Sequence, residues 1–308
     1  ALSGHAEADI LDREALAKAV KAARPDFVFH LAAQSLVRES YATPYETFEV
    51  NVMGSASLLE AVRAYGGPCA VVMVTSDKCY ENLERQEGYS EGDRMGGFDP
   101  YSASKGAAEL FISSYRRSFF NPEKLQSHGV KVASARAGNV IGGGDWAKDR
   151  IVVDFAVHCS RGESVPVRSP HSVRPWQHVL EPIGGYLALA QKLDQSADPA
   201  LCDGFNFGPR LGDEATVRAL VERFCARWPG ASWRDDSKGE HPHEAGLLRL
   251  KIDKAVSMLG WSPVWGLDKT VERTANWYRA FYGGQTDTRA LCLEDIQSYS
   301  ADMAGSGN

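Results

Sequence analysis

The sequence predicts an α/β fold, in which a doubly wound parallel sheet is joined to a smaller α+β domain. Apolar stretches of strand length alternate with segments of helical spacing through the first half of the chain. Strand–helix units of this length form parallel sheets through right-handed crossovers. Beyond about residue 140 the segments become shorter and less regular, which predicts the second domain.

Three strand–helix units account for the first half of the chain. The predicted strands are apolar runs at 26–33, 69–75 and 130–136. The predicted helices have apolar residues at helical spacing and span 11–23, 44–65 and 100–120. Thr43 and Pro44 are suited to a cap and a first turn, so they predict where the second helix begins.

The second half predicts short strands between helices. Strand candidates lie at 164–167, 174–179 and 204–207, and helices at 150–161, 179–193, 214–228 and 267–282. A flexible glycine-rich loop is expected at 142–146, and the chain is weakly patterned from residue 283. The expected organisation is one domain over residues 1–140, to which segments near 175–208 return, a second mainly over 141–300, and a flexible tail at 301–308.

Composition argues against several classes of protein. The 308 residues are 44% hydrophobic and carry a formal net charge of -6, which argues against a nucleic-acid surface. The 6 cysteines are scattered and form no C-x-x-C pair, which favours free thiols in a reducing cytoplasm. No apolar run reaches the roughly 18 residues of a membrane helix, so no membrane partner is expected.

The chemistry is expected where the second strand ends. Thr75, Ser76, Asp77 and Lys78 follow directly on the apolar run 71–74. Active sites of α/β sheets lie at this carboxyl edge. An acid and a candidate base beside Ser76 are more than oxidation or reduction alone requires, which indicates a second proton transfer. The alternative interpretation is a polar strand terminus.

Tyr101 and Lys105 are spaced i, i+4 on a predicted helix, so their heads lie on one face. A nearby ammonium stabilises phenolate, which predicts a lowered pKa for Tyr101 and a base near neutral pH. A Tyr-x-x-x-Lys pair alone is weak evidence, because many chains contain one on an exposed helix. The order of strand, Ser76, Tyr101 and Lys105 is more specific and indicates catalysis.

Basic residues placed after the carboxyl edge predict a diphosphate site. Arginine heads suit bidentate phosphate binding, although any single arginine is more often ordinary surface charge. The candidates, with one asparagine, are Asn139, Arg150, Arg168 and Arg174.

The histidines do not predict a metal site. His241, His243 and Glu244 are close in sequence, but no third ligand follows at a convincing spacing. His30 lies in an apolar strand, which indicates a hydrogen-bonded core histidine. No metal is therefore expected.

Seven segments resemble the extended short-chain dehydrogenase/reductase superfamily, and within it the 4,6-dehydratases that act on CDP-glucose. They are HLAAQSLVRESY, NVMGS, VTSDKCYEN, GGFDPYSASKGAAEL, ARAGNVIGGGDWAKDR, RPWQHVLEP and FNFGP. The resemblance runs from about residue 9 to 282. It implies a Rossmann-like NAD-binding domain over 1–140 and a nucleotide-sugar-binding domain mainly over 141–300.

A sheet of this kind normally begins with a strand and a Gly-rich turn that binds the pyrophosphate. The run of glycines in this chain, Gly142 to Gly144, comes too late in the sequence and is not followed by the start of a helix. The first β-α-β portion is therefore expected to be absent from this chain, which would start within the domain.

The resemblance implies a lyase that oxidises the sugar at C4, eliminates water across C5–C6 and returns the hydride to C6 with recycled NAD. Tyr101 would take the 4-hydroxyl proton, Ser76 would hydrogen-bond that oxygen, and Lys105 would bind the nicotinamide ribose. Asp77 would protonate the departing 6-hydroxyl. Lys78 would be the C5 base or would orient Asp77, because dTDP-glucose relatives have glutamate there and a lysine must be neutral to take a proton.

The resemblance also assigns residues to the two ligands. For NAD they are Asp9 and Ile10 at the adenine, Ala32, Ala33 and Gln34 beneath the pyrophosphate, Asn51 in support, and Thr75, Tyr101, Lys105 and Arg136 towards the nicotinamide. For CDP-glucose or a related nucleotide sugar they are Asn139, Arg150, Arg168 and Arg174.

Two other functions stay open. A 4-epimerase or decarboxylase of the same superfamily would share Ser76, Tyr101 and Lys105 but would not need Asp77 and Lys78. A non-catalytic nucleotide-sugar binder is favoured by the missing start alone, and the catalytic residues argue against it.

The resemblance further implies a cytoplasmic homodimer or higher homo-oligomer that makes deoxysugars for surface polysaccharide. In this superfamily the helices at 44–65 and 100–120 often pair across a two-fold axis. Met53, Leu58, Phe111 and Tyr115 are candidate interface residues, but in the sequence they are indistinguishable from core positions.

Overall fold

A four-stranded parallel sheet lies at the centre of the molecule, in the order β1-β2-β3-β8. The computed structural model describes residues 2–239, 245–285 and 287–305. The sheet strands are β1 Phe27–His30, β2 Cys69–Val74, β3 Val130–Ala137 and β8 Gly204–Phe207. Shorter strands pair outside it: β4 Val140–Ile141, β5 Val165–Val167, β6 Val173–Arg174, β7 Gln177–His178, β9 Ala215–Thr216 and β10 Trp233–Asp235.

Helices cover both faces of the sheet and form the smaller region. They are α1 Arg13–Ala23, α2 Val37–Ala42, α3 Pro44–Phe48, α4 Gly54–Tyr65, α5 Pro100–Ser118, α6 Leu125–His128, α7 Ile151–Ser160, α8 Leu180–Gln195, α9 Val217–Arg227, α10 Leu267–Tyr282 and α11 Thr288–Gly305. Two π-helical segments span Glu49–Met53 and Ala255–Leu259, and short 3-10 turns span Asp77–Cys79, Pro122–Lys124 and Pro199–Leu201. The predicted parallel α/β sheet is confirmed.

The central strands are apolar because helices pack on both sides of them. Val71 and Met73 of β2 contact α1, α4 and α5 in one core, whereas Val72 lies in a second core with α8. A third core joins α7, α9 and α10 around β5. The sheet is therefore covered on both faces, and the region around β5 has a core of its own.

The edge strand β1 differs from its prediction. Phe27 and Phe29 are 42% and 37% exposed, so the strand is not buried along its length. His30 is buried, and its Nε2 lies 3.1 Å from the Ser55 hydroxyl, which confirms a hydrogen-bonded core histidine. Burial lowers the pKa of His30 to about 4, so it is neutral at neutral pH.

The predicted helix over 44–65 is interrupted by the π-helical segment between α3 and α4. Thr43 makes no side-chain capping bond; its hydroxyl donates instead to the Glu39 carbonyl at 3.2 Å. Among the candidate interface residues, Leu58 is buried in the sheet core, so its assignment to an interface is wrong.

The flexible tail predicted for 301–308 is wrong for residues 301–305, because α11 continues to Gly305. No helical pattern of apolar residues is visible here, because the residues that α11 buries are Asp295 and Tyr299 and not an apolar stripe. Asp295 pairs with Arg273 at 2.6 Å, and the Tyr299 hydroxyl donates to Glu181 at 2.8 Å. These polar contacts fix the helix.

None of the helices described is both long and apolar enough to cross a membrane. The 6 cysteines are free thiols, as predicted, and four of them are buried. His241, His243 and Glu244 lie outside the described residues.

Candidate active site

A cavity of about 1140 Å³ opens at the carboxyl edge of the sheet. The loops that follow β1, β2 and β3 meet there because the three strands are parallel and in register. The cavity brings together most of the residues singled out in the sequence: Thr75, Ser76, Asp77, Lys78, Tyr101, Asn139, Arg150, Arg168 and Arg174.

The residues after β2 form a tight 3-10 turn. The Ser76 hydroxyl accepts a hydrogen bond from the Lys78 amide at 3.2 Å and donates to Asp77 Oδ1 at 3.0 Å. Asp77 is 1% exposed, and within the described residues its Oδ2 has no hydrogen-bond partner. Burial raises the pKa of Asp77, against the opposing effects of Lys78, Ser76 and Arg174. This carboxyl is therefore suited to hold a proton and deliver it.

Tyr101 and Lys105 lie in the first turns of α5. Asp99 caps this helix by accepting from the Ser102 amide at 2.9 Å, and Pro100 occupies the first turn. The Ser40 hydroxyl accepts from the Tyr101 amide at 3.1 Å, which fixes the start of the helix against α2. Tyr101 hydrogen-bonds with Ser76, so the predicted serine–tyrosine pair is formed.

The predicted lowering of the Tyr101 pKa is wrong for this structure. Burial raises the pKa of Tyr101 to about 12, and the hydrogen bond with Ser76 opposes this only in part. The Lys105 ammonium lies 5.9 Å from the centre of the tyrosine ring and is not among the main influences on its pKa. Desolvation of the phenolate outweighs the distant positive charge.

Lys105 is a buried amine with unused hydrogen-bonding capacity. It is 5% exposed, and burial lowers its pKa to about 8 while Glu109 acts in the opposite direction. In the described part of the chain its ammonium makes no hydrogen bond and no ion pair within 4.0 Å. A buried amine of this kind requires an acceptor, and ribose hydroxyl groups are suitable acceptors.

Asn51 joins the end of β1 to helix α5. Its Oδ1 accepts from the Gln34 amide at 2.9 Å, and its Nδ2 donates to the Gln34 carbonyl at 3.0 Å and to Ser104 at 2.8 Å. Ala32 and Ala33 form the exposed and half-buried chain just before this link. Asn51 therefore holds the end of β1 against α5, and its support of a cofactor stays a prediction.

Of the ten predicted cofactor contacts, Thr75 and Tyr101 line the cavity and the other eight do not. Asp9 and Ile10 precede α1, and Ile10 packs against Gly54, where a Cβ would lie 2.8 Å from it. Arg136 is buried beneath the site and pairs with Glu109 at 2.8 Å. Its remaining bonds go to the Tyr80 hydroxyl and the Glu91 carbonyl, so its guanidinium acts within the protein.

The arginines of the cavity are oriented by acidic neighbours. Arg150 donates to Asp145 at 2.7 Å and to the Ser35 hydroxyl at 2.9 Å. Arg168 donates to Asp149 at 2.6 Å. Arg174 is buried and faces the same cavity. These positive groups at the mouth are suited to a diphosphate.

Sequence reasoning missed four residues at or below the site: Glu109, Asp145, Asp149 and Tyr186. Glu109 follows Lys105 by four residues, and this helical spacing was a usable signal. Asp145 lies in the glycine-rich loop, and Asp149 directly precedes Arg150. Tyr186 had no local signal, because its place depends on how α8 packs on the sheet.

A buried serine and tyrosine with a lysine one turn later, at the carboxyl edge of a parallel sheet, define an enzyme of the short-chain dehydrogenase/reductase class. The sequence model of the GDP-mannose 4,6 dehydratase family matches residues 4–274. The chain belongs to this family.

Similar proteins agree with this assignment. The CDP-glucose 4,6-dehydratase of Salmonella typhimurium is 50% identical over 292 residues, which are 94% of this chain and 80% of the relative. The CDP-paratose 2-epimerase of Salmonella typhi is 30% identical over 87% of this chain and 82% of its own. The structure of DesIV, a dTDP-glucose 4,6-dehydratase from Streptomyces venezuelae solved with NAD bound, has a TM-score of 0.72 at 25% identity, covering 91% of this chain and 81% of that chain.

Proposed function

We propose that the protein converts CDP-glucose to CDP-4-keto-6-deoxyglucose and water, with NAD used and regenerated in each turnover. One observation carries the proposal. The cavity joins Ser76 and Tyr101, which suit oxidation of an alcohol, with Asp77 and Lys78, which suit elimination, in a chain 50% identical to a CDP-glucose 4,6-dehydratase.

The residues around Lys105 fit a nicotinamide cofactor. Its buried ammonium would donate to the ribose hydroxyls, and the exposed chain at Ala32 and Ala33 would lie beneath the pyrophosphate. Asn51 would hold that segment against α5 through Gln34. When bound, NAD supplies an acceptor that takes the C4 hydride and later returns it to C6.

Tyr101 and Ser76 would act at the sugar C4 oxygen. Ser76 hydrogen-bonds with Tyr101, so both hydroxyl groups would face one oxygen atom. Tyr101 would take the 4-hydroxyl proton as the hydride leaves C4. Because burial raises its pKa, the phenolate would need stabilisation, and the hydrogen bond with Ser76 would supply part of it.

Asp77 and Lys78 would carry out the elimination. The C4 ketone acidifies the C5 proton, and Lys78 would remove it. The C6–O bond then breaks, and Asp77 would give its proton to the departing oxygen. The raised pKa of the buried carboxyl suits this role, because Asp77 has to be protonated when the bond breaks.

The mouth of the cavity would hold the diphosphate. Arg150, Arg168 and Arg174 supply positive charge, and Asn139 lines the same cavity. Asp145 and Asp149 orient the first two guanidinium groups. The phosphates would replace these carboxylates as partners or share the guanidinium groups with them.

The test is a reaction of the purified protein with CDP-glucose, with NAD added or omitted, followed by mass spectrometry. A product lighter by one water without net NADH is the expected result. Tyr101→Phe should abolish it, whereas Tyr65→Phe, a substitution at the end of α4, should not. A rearranged sugar of unchanged mass would favour a 4-epimerase, and binding without turnover would favour a nucleotide-sugar binder.

A cytoplasmic homodimer formed through α4 and α5 is part of this proposal. Leu110 is 63% exposed on α5, and Met53, directly before α4, and Phe119, directly after α5, are also exposed. Leu110→Glu should convert a dimer to a monomer in light scattering. The control is Leu187→Glu on α8, which is also an exposed leucine; a monomeric native protein would contradict the proposal.

A further inference from the structure

Tyr186 is a buried tyrosine of α8 that lies beside the reacting groups of the cavity. It is 6% exposed and is part of the cavity lining. Its ring packs edge-on against Phe207 at the end of β8, with ring centres 5.6 Å apart and planes at 84°. Gly185 lies against Phe207 so closely that a Cβ there would be 2.3 Å from the ring. The Tyr186 ring is therefore held firmly from below.

Two polar groups in this part of the cavity lack partners. Within residues 2–239, 245–285 and 287–305, Asp77 Oδ2 is buried without a hydrogen-bond partner, and the Tyr186 hydroxyl, on a residue of the cavity lining, makes no hydrogen bond. Tyr186 lines the same cavity as Tyr101 and Asp77 and interacts electrostatically with both. Buried polar groups in folded proteins are normally hydrogen-bonded, so a ligand atom between the two groups would satisfy both.

The neighbours of Tyr186 indicate which ligand atom this is. Tyr101 is already hydrogen-bonded with Ser76, and these two hydroxyl groups are assigned to the sugar C4 oxygen. Asp77 Oδ2 is the unpaired atom and is assigned to the C6 oxygen. Burial also raises the pKa of Tyr186 well above neutral pH, so its hydroxyl keeps its proton and can donate. Tyr186 is therefore matched to the C6 oxygen.

We propose that Tyr186 is a catalytic residue that donates a hydrogen bond to the sugar C6 oxygen as that oxygen leaves as water. This inference rests on the proposed dehydratase function. Lys78 takes the C5 proton, the C5–H electrons form the C5=C6 bond, and the C6–O bond breaks. The oxygen receives one proton from Asp77 and departs as water, with the Tyr186 hydroxyl still protonated. The hydrogen bond is stronger to the departing oxygen than to the resting alcohol, so it lowers the barrier.

The test is Tyr186→Phe, which keeps the ring and removes the hydroxyl. Its rate of water loss should fall about 10- to 100-fold, the size of effect expected from losing one donor to developing charge. In a single turnover, C4 oxidation should proceed at the native rate, so NADH bound to the enzyme should accumulate. Tyr282→Phe on α10 is the control, because its hydroxyl lies outside the cavity lining, and it should keep native rates.

A 6-chloro-6-deoxy analogue of CDP-glucose separates this role from a structural one. Chloride leaves without protonation and accepts hydrogen bonds weakly, so native protein and Tyr186→Phe should eliminate it at similar rates. The inference is overturned if the variant matches the native rate on CDP-glucose, if it is equally impaired on both substrates, or if NADH formation itself is slowed. Native protein that releases no water from CDP-glucose would instead overturn the proposed function.

Discussion

Glu109→Gln tests whether a buried charge pair supports the floor of the active site. Glu109 and Arg136 lie 2.8 Å apart, and their side chains are 4% and 6% exposed. The carboxylate also accepts hydrogen bonds from Thr75 at 2.5 Å and from Ser134 at 2.8 Å. Glutamine preserves the shape of the side chain but leaves the guanidinium buried without a counter-charge.

Removing one member of a buried ion pair destabilises a protein by about 3–5 kcal/mol. We expect the free energy of unfolding in urea to fall by that amount in Glu109→Gln. Glu60→Gln is the matched control, because Glu60 pairs with Arg63 at 2.6 Å on the surface. An exposed pair contributes about 0.2–1 kcal/mol, so this variant should be nearly as stable as the native protein.

The double variant Glu109→Gln/Arg136→Met removes the stranded charge and should recover part of the lost stability. A Glu109→Gln protein within about 1 kcal/mol of native stability would refute the reasoning, because a buried guanidinium without its carboxylate has to be costly. If the double variant recovers no stability, the hydrogen bonds of Glu109, and not its charge, stabilise this part of the protein.

The ion pair of Glu109 and Arg136 also predicts how the stability of the protein changes in acid. Burial acts to raise the pKa of Glu109, but Arg136 and the hydrogen bonds prevail and hold it below the ordinary value of 4.5. The folded-state pKa is thus lower than the unfolded one. The stabilisation is fully present above pH 4.5 and is lost as the pH falls through the folded-state pKa. Glu109→Gln should lack this contribution in urea titrations repeated at falling pH.

Three further predictions concern the site and its supports. Asp77→Asn should slow water loss about 100- to 10,000-fold, because the general acid is removed, while stopped-flow absorbance still detects C4 oxidation; loss of both steps would contradict the assignment. Lys105→Met should weaken NAD binding in calorimetry without lowering the unfolding temperature, and unchanged affinity would exclude a ribose contact. Because the pKa of His30 is lowered in the folded state, the free energy of unfolding should fall by up to about 3 kcal/mol as the pH drops from 6.5 toward 4. His30→Asn should reduce that loss in denaturant titrations. An equal loss in the variant would contradict this role of His30.

Much of the fold follows from local patterning. The strands around Val71 and Val132 are continuous apolar runs because both faces of the sheet are covered. Helix α5 begins where Asp99 and Pro100 require. The π-helical segment at Glu49–Met53 was not predictable in this way, because it changes the helical register without a distinct composition.

The candidate site was predictable where its residues are adjacent in sequence and not where packing assembles it. Ser76, Asp77 and Lys78 follow one strand, so their meeting is a local property. Tyr186 joins them from a helix more than a hundred residues later, and only the tertiary fold brings it there. The Tyr101 pKa was mispredicted for the same reason, since burial cannot be read from the spacing to Lys105.

The π-helical segment Glu49–Met53 lets the helical stretch around it contact two different partners. A standard helix turns by about 100° per residue, so one extra residue in a turn rotates everything after it relative to everything before it. Before the segment ends, Thr47 and Asn51 are directed at Gln34; after it, Leu59 and Val62 are directed at the sheet. Deleting one residue within 49–53 would leave a helix of normal appearance whose polar and apolar faces no longer fit their partners together. A change in the length of this segment would therefore disturb both sets of contacts at once.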